Sequence, residues 1–334
     1  MKKIIGVGFV ALVLIASACS QGVSGAQTYR VGVDQASPEG KKFQFSAYYP
    51  GTVTVAPGDS VVFTNASTEA PHTISFGIAA DRSNSPPPVV PQGENPVVFE
   101  PCYTEDAPTN EMVECPSQEL PDYNGEGFWN SGALVPSTAP EGPKEVTVNL
   151  SDDIAEGTYT YVCILHGFMA GNIEVAAEDD RISVDEVTES GQEAADEALT
   201  DSEAIEEPEA ERDGDTVTVS AGFGDRIVSV NRFSPATLDV DTGTTVQWVA
   251  KNPYEPHTVT FESPFEGPAD EGALAPAGVE SGEDYEGGLA SSGILGPEGG
   301  PFPSEPFALT FTKAGTYEYS CVLHPGQTGT VEVS

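Results

Sequence analysis

Positive charge is scarce in this chain. Thirteen lysines and arginines stand against 53 aspartates and glutamates, for a formal net charge of −40 and a sequence pI near 4.1. That balance excludes nucleic acid as a partner, because phosphate backbones are held by Lys and Arg. Anionic lipid would likewise repel the body of the protein. Long apolar runs are missing beyond the N-terminus. Long uninterrupted segments are rare too, since 35 Gly and 28 Pro punctuate the 334 residues, a pattern that suits turn-rich β domains better than long helices. Residues able to carry chemistry are scarcer still: four His, five Cys and three Met. Their scarcity makes their positions informative.

The N-terminus has the form of an export signal. Lys2 and Lys3 precede an apolar run from Ile4 to Ile15 that is too short for a comfortable transmembrane helix, and Ala16-Ser17-Ala18-Cys19 follows. Residues 1–18 are expected to be a signal peptide of lipoprotein type, with Cys19 lipidated and 19–27 a tether. Ala16 stands where Leu is more usual in such a lipobox, and plain secretory cleavage near Ala18 is the alternative. Either route places the mature chain outside the cytoplasm. The lipid route anchors it to the bacterial cell membrane, facing the periplasm or exterior. In an oxidising compartment Cys102 and Cys115, close together in a Pro-rich stretch, are expected to form a disulfide; two free thiols or a separate metal site is the alternative.

The rest of the chain is a repeat. Pro50 precedes His72 by the same interval as Pro235 precedes His257. Pro71-His72-Thr73-Ile74-Ser75-Phe76 matches Pro256-His257-Thr258-Val259-Thr260-Phe261, and Gly157-Thr158-Tyr159-Thr160-Tyr161 matches Gly315-Thr316-Tyr317-Glu318-Tyr319. Ser131-Gly132-Ala133-Leu134 pairs with Ser292-Gly293-Ile294-Leu295. Alternating apolar segments around Pro-Gly turns predict paired strands in both copies. The expected organisation is a first domain over 28–176, with a Pro- and Gly-rich insertion at 77–143, and a second over 215–334. Between them, 177–214 is crowded with acids, holds two Arg and no aromatic residue, and is expected to be a disordered linker, with weak helix in its Ala- and Glu-rich part the alternative.

Each copy ends on the same motif. Cys163-Ile164-Leu165-His166-Gly167-Phe168-Met169 is echoed by Cys321-Val322-Leu323-His324-Pro325-Gly326-Gln327. The two remaining His, His72 and His257, stand upstream in matched positions, so all four belong to the repeat. A thiolate, two imidazoles and a weak axial donor suit a mononuclear copper site that transfers electrons.

The spacing C-x-x-H-x-x-M with an upstream His resembles the cupredoxin family; the short ligand loop is most similar to amicyanin and the repeat to plastocyanin-like domains. The resemblance implies an all-β chain of two Greek-key β-sandwiches with two type 1 copper sites. One site would take His72, Cys163, His166 and Met169, the other His257, Cys321, His324 and Gln327. Two departures stand out. Thr73 and Thr258 occupy positions where many members carry Asn, and Gln327 replaces the axial Met. An amide oxygen is harder than a thioether and favours Cu(II), so the second site is expected to have the lower potential. No His remains for a catalytic type 2 or trinuclear centre. The expectation is therefore an electron carrier rather than an enzyme, with a copper sequestration or delivery module as the alternative. Its port would be the His166 or His324 edge among Gly167, Phe168, Pro325 and Gly326. A c-type cytochrome or an oxidase is the expected kind of partner.

Overall fold

The computed structural model describes residues 25–78, 100–105, 117–166, 168–268, 270–298 and 302–334. Strands arise where apolar residues alternate. Tyr29, Val31 and Val33 turn inward from β1 (Thr28–Val33) while their neighbours are more exposed. Then come β2 (Phe43–Phe45), β3 (Tyr48–Tyr49), β4 (Thr52–Val55), β5 (Ser60–Asn65) and β6 (Ser75–Phe76). The first half closes with β7 (Cys102–Thr104), β8 (Phe128–Asn130), β9 (Glu145–Asn149), β10 (Gly157–Val162) and β11 (Ala170–Val175). After helix α1 (Val184–Ser202) the second half holds β12 (Glu211–Asp213), β13 (Thr216–Gly224), β14 (Val228–Ser234), β15 (Thr237–Val240), β16 (Thr245–Val249) and β17 (Thr260–Phe261). It ends with β18 (Pro276–Gly278), β19 (Asp284–Tyr285), β20 (Ala290–Ser292), β21 (Phe307–Phe311), β22 (Gly315–Ser320) and β23 (Thr328–Val333).

Each half is a sandwich of two sheets. The first packs β3-β1-β5-β9 on β4-β11-β10-β6-β8-β7, and the second packs β19-β21-β16-β13-β14-β2 on β15-β23-β22-β17-β20-β18. Matched aromatics fill both cores. Phe63 and Tyr161 lie 4.9 Å apart in the first; Trp248 and Tyr319 lie 5.2 Å apart in the second. Tyr161 and Tyr319 anchor the strands that run into the two cysteines, so packing of each core fixes where its thiol sits.

One strand crosses between the halves. β2 belongs to the first repeat but pairs with β14 of the second, in the register Phe43 with Val230, Gln44 with Ser229 and Phe45 with Val228. By the interval that relates His72 to His257, Phe43 corresponds to Val228 and Phe45 to Val230. Phe43 thus pairs with the counterpart of Phe45, and Phe45 with that of Phe43, about a local two-fold axis between Gln44 and Ser229. The flanking bonds obey the same symmetry: Ser46 N–H donates to the Ile227 carbonyl at 2.8 Å and Asn231 N–H to that of Lys42 at 2.9 Å. Phe43, Phe45, Tyr49, Phe223, Val228 and Val230 form a small buried core along this seam.

Two expectations need correction. The acidic segment 177–214 is structured. Ser183 and Glu186 cap α1 reciprocally, each side chain accepting from the other's backbone N–H. The helix sets Val187 into the first core, and Ala194, Ala195, Ala198 and Leu199 against the seam. Small apolar residues at helical spacing let it lie close, and its acids face water. Beyond it, β12 pairs with β13. Part of the 77–143 insertion is likewise sheet. β8 pairs with both β6 and β7, and Trp129 on β8 is buried in the core. Cys102 is disulfide-bonded. Cys115, Cys19 and the expected signal peptide, residues 1–18, lie outside the described residues. Among the described residues, no helix is long and apolar enough to cross a membrane.

Candidate metal centre

Four backbone segments build each site the same way. The upstream His follows a strand and is fixed by a bridge to a neighbouring loop: His72 N–H donates to Leu134 O at 3.0 Å and His257 N–H to Leu295 O at 2.9 Å. Ser131 and Ser292 brace the next turn, each hydroxyl accepting from Ile74 N–H or Val259 N–H at 2.9 Å. The cysteine sits just past β10 or β22. Its loop is pinned at both ends. Cys163 N–H donates to Met169 O at 2.9 Å and Met169 N–H to His166 O at 2.9 Å; the same bonds link Cys321, Gln327 and His324 at 2.9 and 3.0 Å. Met169 and Gln327 thus occupy equivalent places, both buried.

The side chains converge. The ligand atoms of His72, Cys163 and His166 lie within 4.8 Å of one another, as do those of His257, Cys321 and His324. Cys163 Sγ is 3.3 Å from His166 Nδ1, and Cys321 Sγ is 3.5 Å from His324 Nδ1. The substituted threonines perform the bracing expected of Asn. Thr73 N–H donates to Cys163 Sγ at 3.4 Å while its hydroxyl accepts from Ile164 N–H at 3.0 Å; Thr258 does the same for Cys321 at 3.3 Å and Val322 at 2.8 Å.

Electrostatics favour a thiolate in each. Burial alone would push the Cys163 thiol up, but the imidazoles of His166 and His72 outweigh it and hold it well below its ordinary range. Cys321 is lowered in the same way by His324 and His257. Burial opposes charge on His72, yet Asp34 and Cys163 raise it to about 10; Cys321 and Glu255 outweigh burial at His324 and raise it to about 10. A site with a charge-stabilised thiolate and buried imidazoles is ready for a soft cation in place of those protons. His72 Nδ1 is buried without a hydrogen-bond partner, as a ligand atom would be.

The two sites differ around that shared frame. Asp34, at the end of β1, places Oδ2 2.9 Å from His72 Nε2. The strand pairing puts Gly222 in the corresponding place in the second half. Gly222 has a φ of +75° and approaches the His257 ring so closely that an added Cβ would lie 1.8 Å from Nε2. His257 Nε2 consequently has no partner among the described residues, while Nδ1 lies 3.0 Å from Gln327 Oε1.

The expected solvent-facing port is not formed. His166 and His324 are both buried, and their Nε2 edges face the same carboxylate, Glu255, across the seam. Burial pushes that carboxyl up, but His324 and His166 outweigh it and hold it at about 2. Phe168 packs on Tyr254 with ring centroids 3.9 Å apart and planes tilted by 45°, under Arg226, and Lys42 Nζ donates to Pro325 O at 3.2 Å. The apolar rims meant for a partner thus dock on each other's domain. Asp34, Gln44, Gly222 and Glu255 were not foreseen from the sequence. Glu255 could have been found by aligning the copies, since its counterpart is Ala70.

Residues 228–334 match the family model for copper binding proteins of the plastocyanin/azurin family. Solved structures similar to the chain include a purple cupredoxin from Nitrosopumilus maritimus, at 22% identity, covering 35% of this chain and 98% of that one with a TM-score of 0.23. A mutant amicyanin in its Cu(I) form matches at 23% identity, covering 36% and 85% with a TM-score of 0.23. A mutant plastocyanin of fern matches at 20% identity, covering 35% and 99% with a TM-score of 0.22. No curated protein matches the chain.

Proposed function

We propose that the chain is a two-centre electron carrier, tethered by lipid at Cys19 to the outer face of the cell membrane. The duplicated buried His-Cys-His cluster carries this reading: all four His of the chain are used, two in each. His72, Cys163 and His166, with Met169 beside them, would hold one copper. His257, Cys321 and His324, with Gln327, would hold the other. Copper bound in such sites alternates between Cu(I) and Cu(II), giving up and taking back one electron.

The protein's part is to hold the donor set still. The two imidazoles of each cluster lower its thiol's pKa and so favour the thiolate, and Thr73 or Thr258 ties the cysteine loop to the histidine loop. Both cores lock the strands that bear them. Water is excluded, since His72, Cys163 and His257 are all 0% exposed. Gln327 Oε1 stands 3.0 Å from His257 Nδ1, close enough to the donor cluster to serve as an axial ligand. With both imidazole edges turned inward, an external redox partner docks elsewhere on the acidic surface. A basic partner, such as a c-type cytochrome or an oxidase subunit, fits that charge.

Copper analysis with visible and EPR spectra of the wild type, Cys163→Ser and Cys321→Ser tests the reading. Two coppers per chain, with one thiolate-to-copper band lost in each variant, are expected. A colourless protein without bound copper would overturn it, and copper exchanged within minutes to a chelator would favour a delivery module instead.

A further inference from the structure

The imidazole edges meet across the seam on one carboxylate. His324 Nε2 lies 3.1 Å from Glu255 Oε1, and His166 Nε2 lies 3.6 Å from Oε2. Gln44 sits beside them. Its amide nitrogen is 3.0 Å from Glu255 Oε2 and 3.0 Å from His166 Nε2, while its carbonyl oxygen accepts from Asn231 at 2.9 Å. Glu255 comes from the second repeat and Gln44 from the first, so both halves build the bridge. A buried carboxylate loses several kcal/mol of hydration and needs compensating contacts. The fold of the repeat does not demand one here, because the first copy carries Ala70 in the corresponding place.

The hydrogen-bond chemistry selects the carboxylate as the link. A metal on Nδ1 of an imidazole leaves the proton on Nε2. Each ring of a loaded protein then offers an N–H to the seam. The Gln44 amide nitrogen is also a donor and cannot serve a second N–H. A carboxylate has an oxygen for each ring.

We infer that Glu255 is a positioning residue that couples the two sites, holding His166 and His324 on one carboxylate so that an electron passes between the centres inside the molecule. The inference rests on the copper reading above. The balance is simple: one electron leaves the reduced centre and arrives at the oxidised one. No bond to carbon forms or breaks and no proton departs. The connection runs from His324 through a hydrogen bond of 3.1 Å to Glu255, and from Glu255 to His166 through a 3.6 Å ion-pair contact that would close to a hydrogen bond once that ring carries its Nε2 proton.

Two variants of the full-length copper protein test this. Glu255→Ala copies the first repeat and removes both links. Glu255→Gln keeps the shape but offers only one oxygen, so one link should survive. In the fully reduced, diamagnetic protein, proton NMR of the ring N–H groups should show two hydrogen-bonded signals in the wild type and one in Glu255→Gln. After pulse reduction, electron redistribution between the two visible bands should be first order and independent of protein concentration. It should slow roughly 10- to 100-fold in Glu255→Ala, the usual range for loss of an outer-sphere partner, with copper content unchanged. An unchanged rate, a rate that scales with protein concentration, or two unaltered N–H signals in Glu255→Gln would overturn the inference. Absence of copper and of both bands in the wild type would instead overturn the reading beneath it.

Discussion

Replacing Asp34 by Asn removes one charge, and with it the acceptor facing His72, at one site. The Asp34 Oδ1 atom accepts from Gln35 N–H at 2.6 Å and Phe45 N–H at 2.8 Å, bonds that an amide oxygen can keep. Oδ2, 2.9 Å from His72 Nε2, is where the change is felt. A metal on the far nitrogen of that ring would stand roughly 7 Å from the carboxylate, and at an effective dielectric near 20 a unit charge at that distance is worth about 2 kcal/mol. For a one-electron couple this is about 100 mV. The sign follows from charge: a carboxylate favours the more positive Cu(II), so removing it should raise the potential of the first site. The second site carries Gly222 in the corresponding place and should not move. This effect would oppose the expected axial one, in which Met169 as a ligand would raise the first site relative to Gln327 at the second. In Asp34→Asn the axial difference stands alone and the gap between the centres should be widest. Spectroelectrochemical titration, following the two bands separately, measures both potentials. A first site that stays put or falls, or two sites that move together, would refute the argument.

Gly222→Ala should cost the chain one copper of two, because the new Cβ would fall 1.8 Å from His257 Nε2 at a φ of +75°; metal analysis should give half the wild-type content with the Met169-type band intact. Phe45→Ala, at a fully buried seam residue, should lower stability by about 3–5 kcal/mol, read as an earlier urea midpoint. The seam should also weaken in acid. Glu255 is held at about 2 against an ordinary 4.5, so its contribution is complete above pH 4.5 and is lost as pH falls toward 2. At most about 3 kcal/mol is involved, and the difference in urea midpoint between wild type and Glu255→Gln should shrink over that window.

The donors were legible because the motif is local. Cys163 and His166 share one turn, as do Cys321 and His324, and the upstream His of each copy recurs at a fixed interval. The repeat therefore showed the sites before any fold was known. What stayed hidden depends on docking. Glu255 is one of 53 acids in the chain, and only the meeting of the halves sets it between two imidazoles. β2 is legible as a strand in the alternation of Phe43-Gln44-Phe45, but nothing local tells that its partner strand lies in the other repeat. The segment 177–214 misled through composition: its charge predicted a solvated chain, while the Ser183–Glu186 cap and the Ala194, Ala195, Ala198 and Leu199 row supplied a helix with one dry face. In the insertion, the Pro and Gly content masked β7 and β8, whose place in the sheet is held by Trp129 burial rather than by any periodic pattern.

The local two-fold at Gln44 and Ser229 explains where the copies have diverged. An interface between identical subunits must put the same residue on both sides of its axis. A carboxylate at the position of Glu255 would then appear twice in one dry seam, where like charges raise each other's pKa and repel. Joining the repeats in one chain removes that constraint. Ala70 takes the place opposite Glu255, Ser229 the place opposite Gln44, and one acid serves both rings. The same freedom shows nearer the donors, in Asp34 against Gly222 and Met169 against Gln327. Elements that hold the cluster in shape have not diverged: Thr73 and Thr258, Ser131 and Ser292, and Leu134 and Leu295 make the same bonds at nearly the same distances. Substitution has therefore left the frame of each centre alone and changed what each centre feels. On the copper reading proposed above, two centres made unequal in this way, facing one another through a single carboxylate, would set a direction for an electron that two equal ones could not.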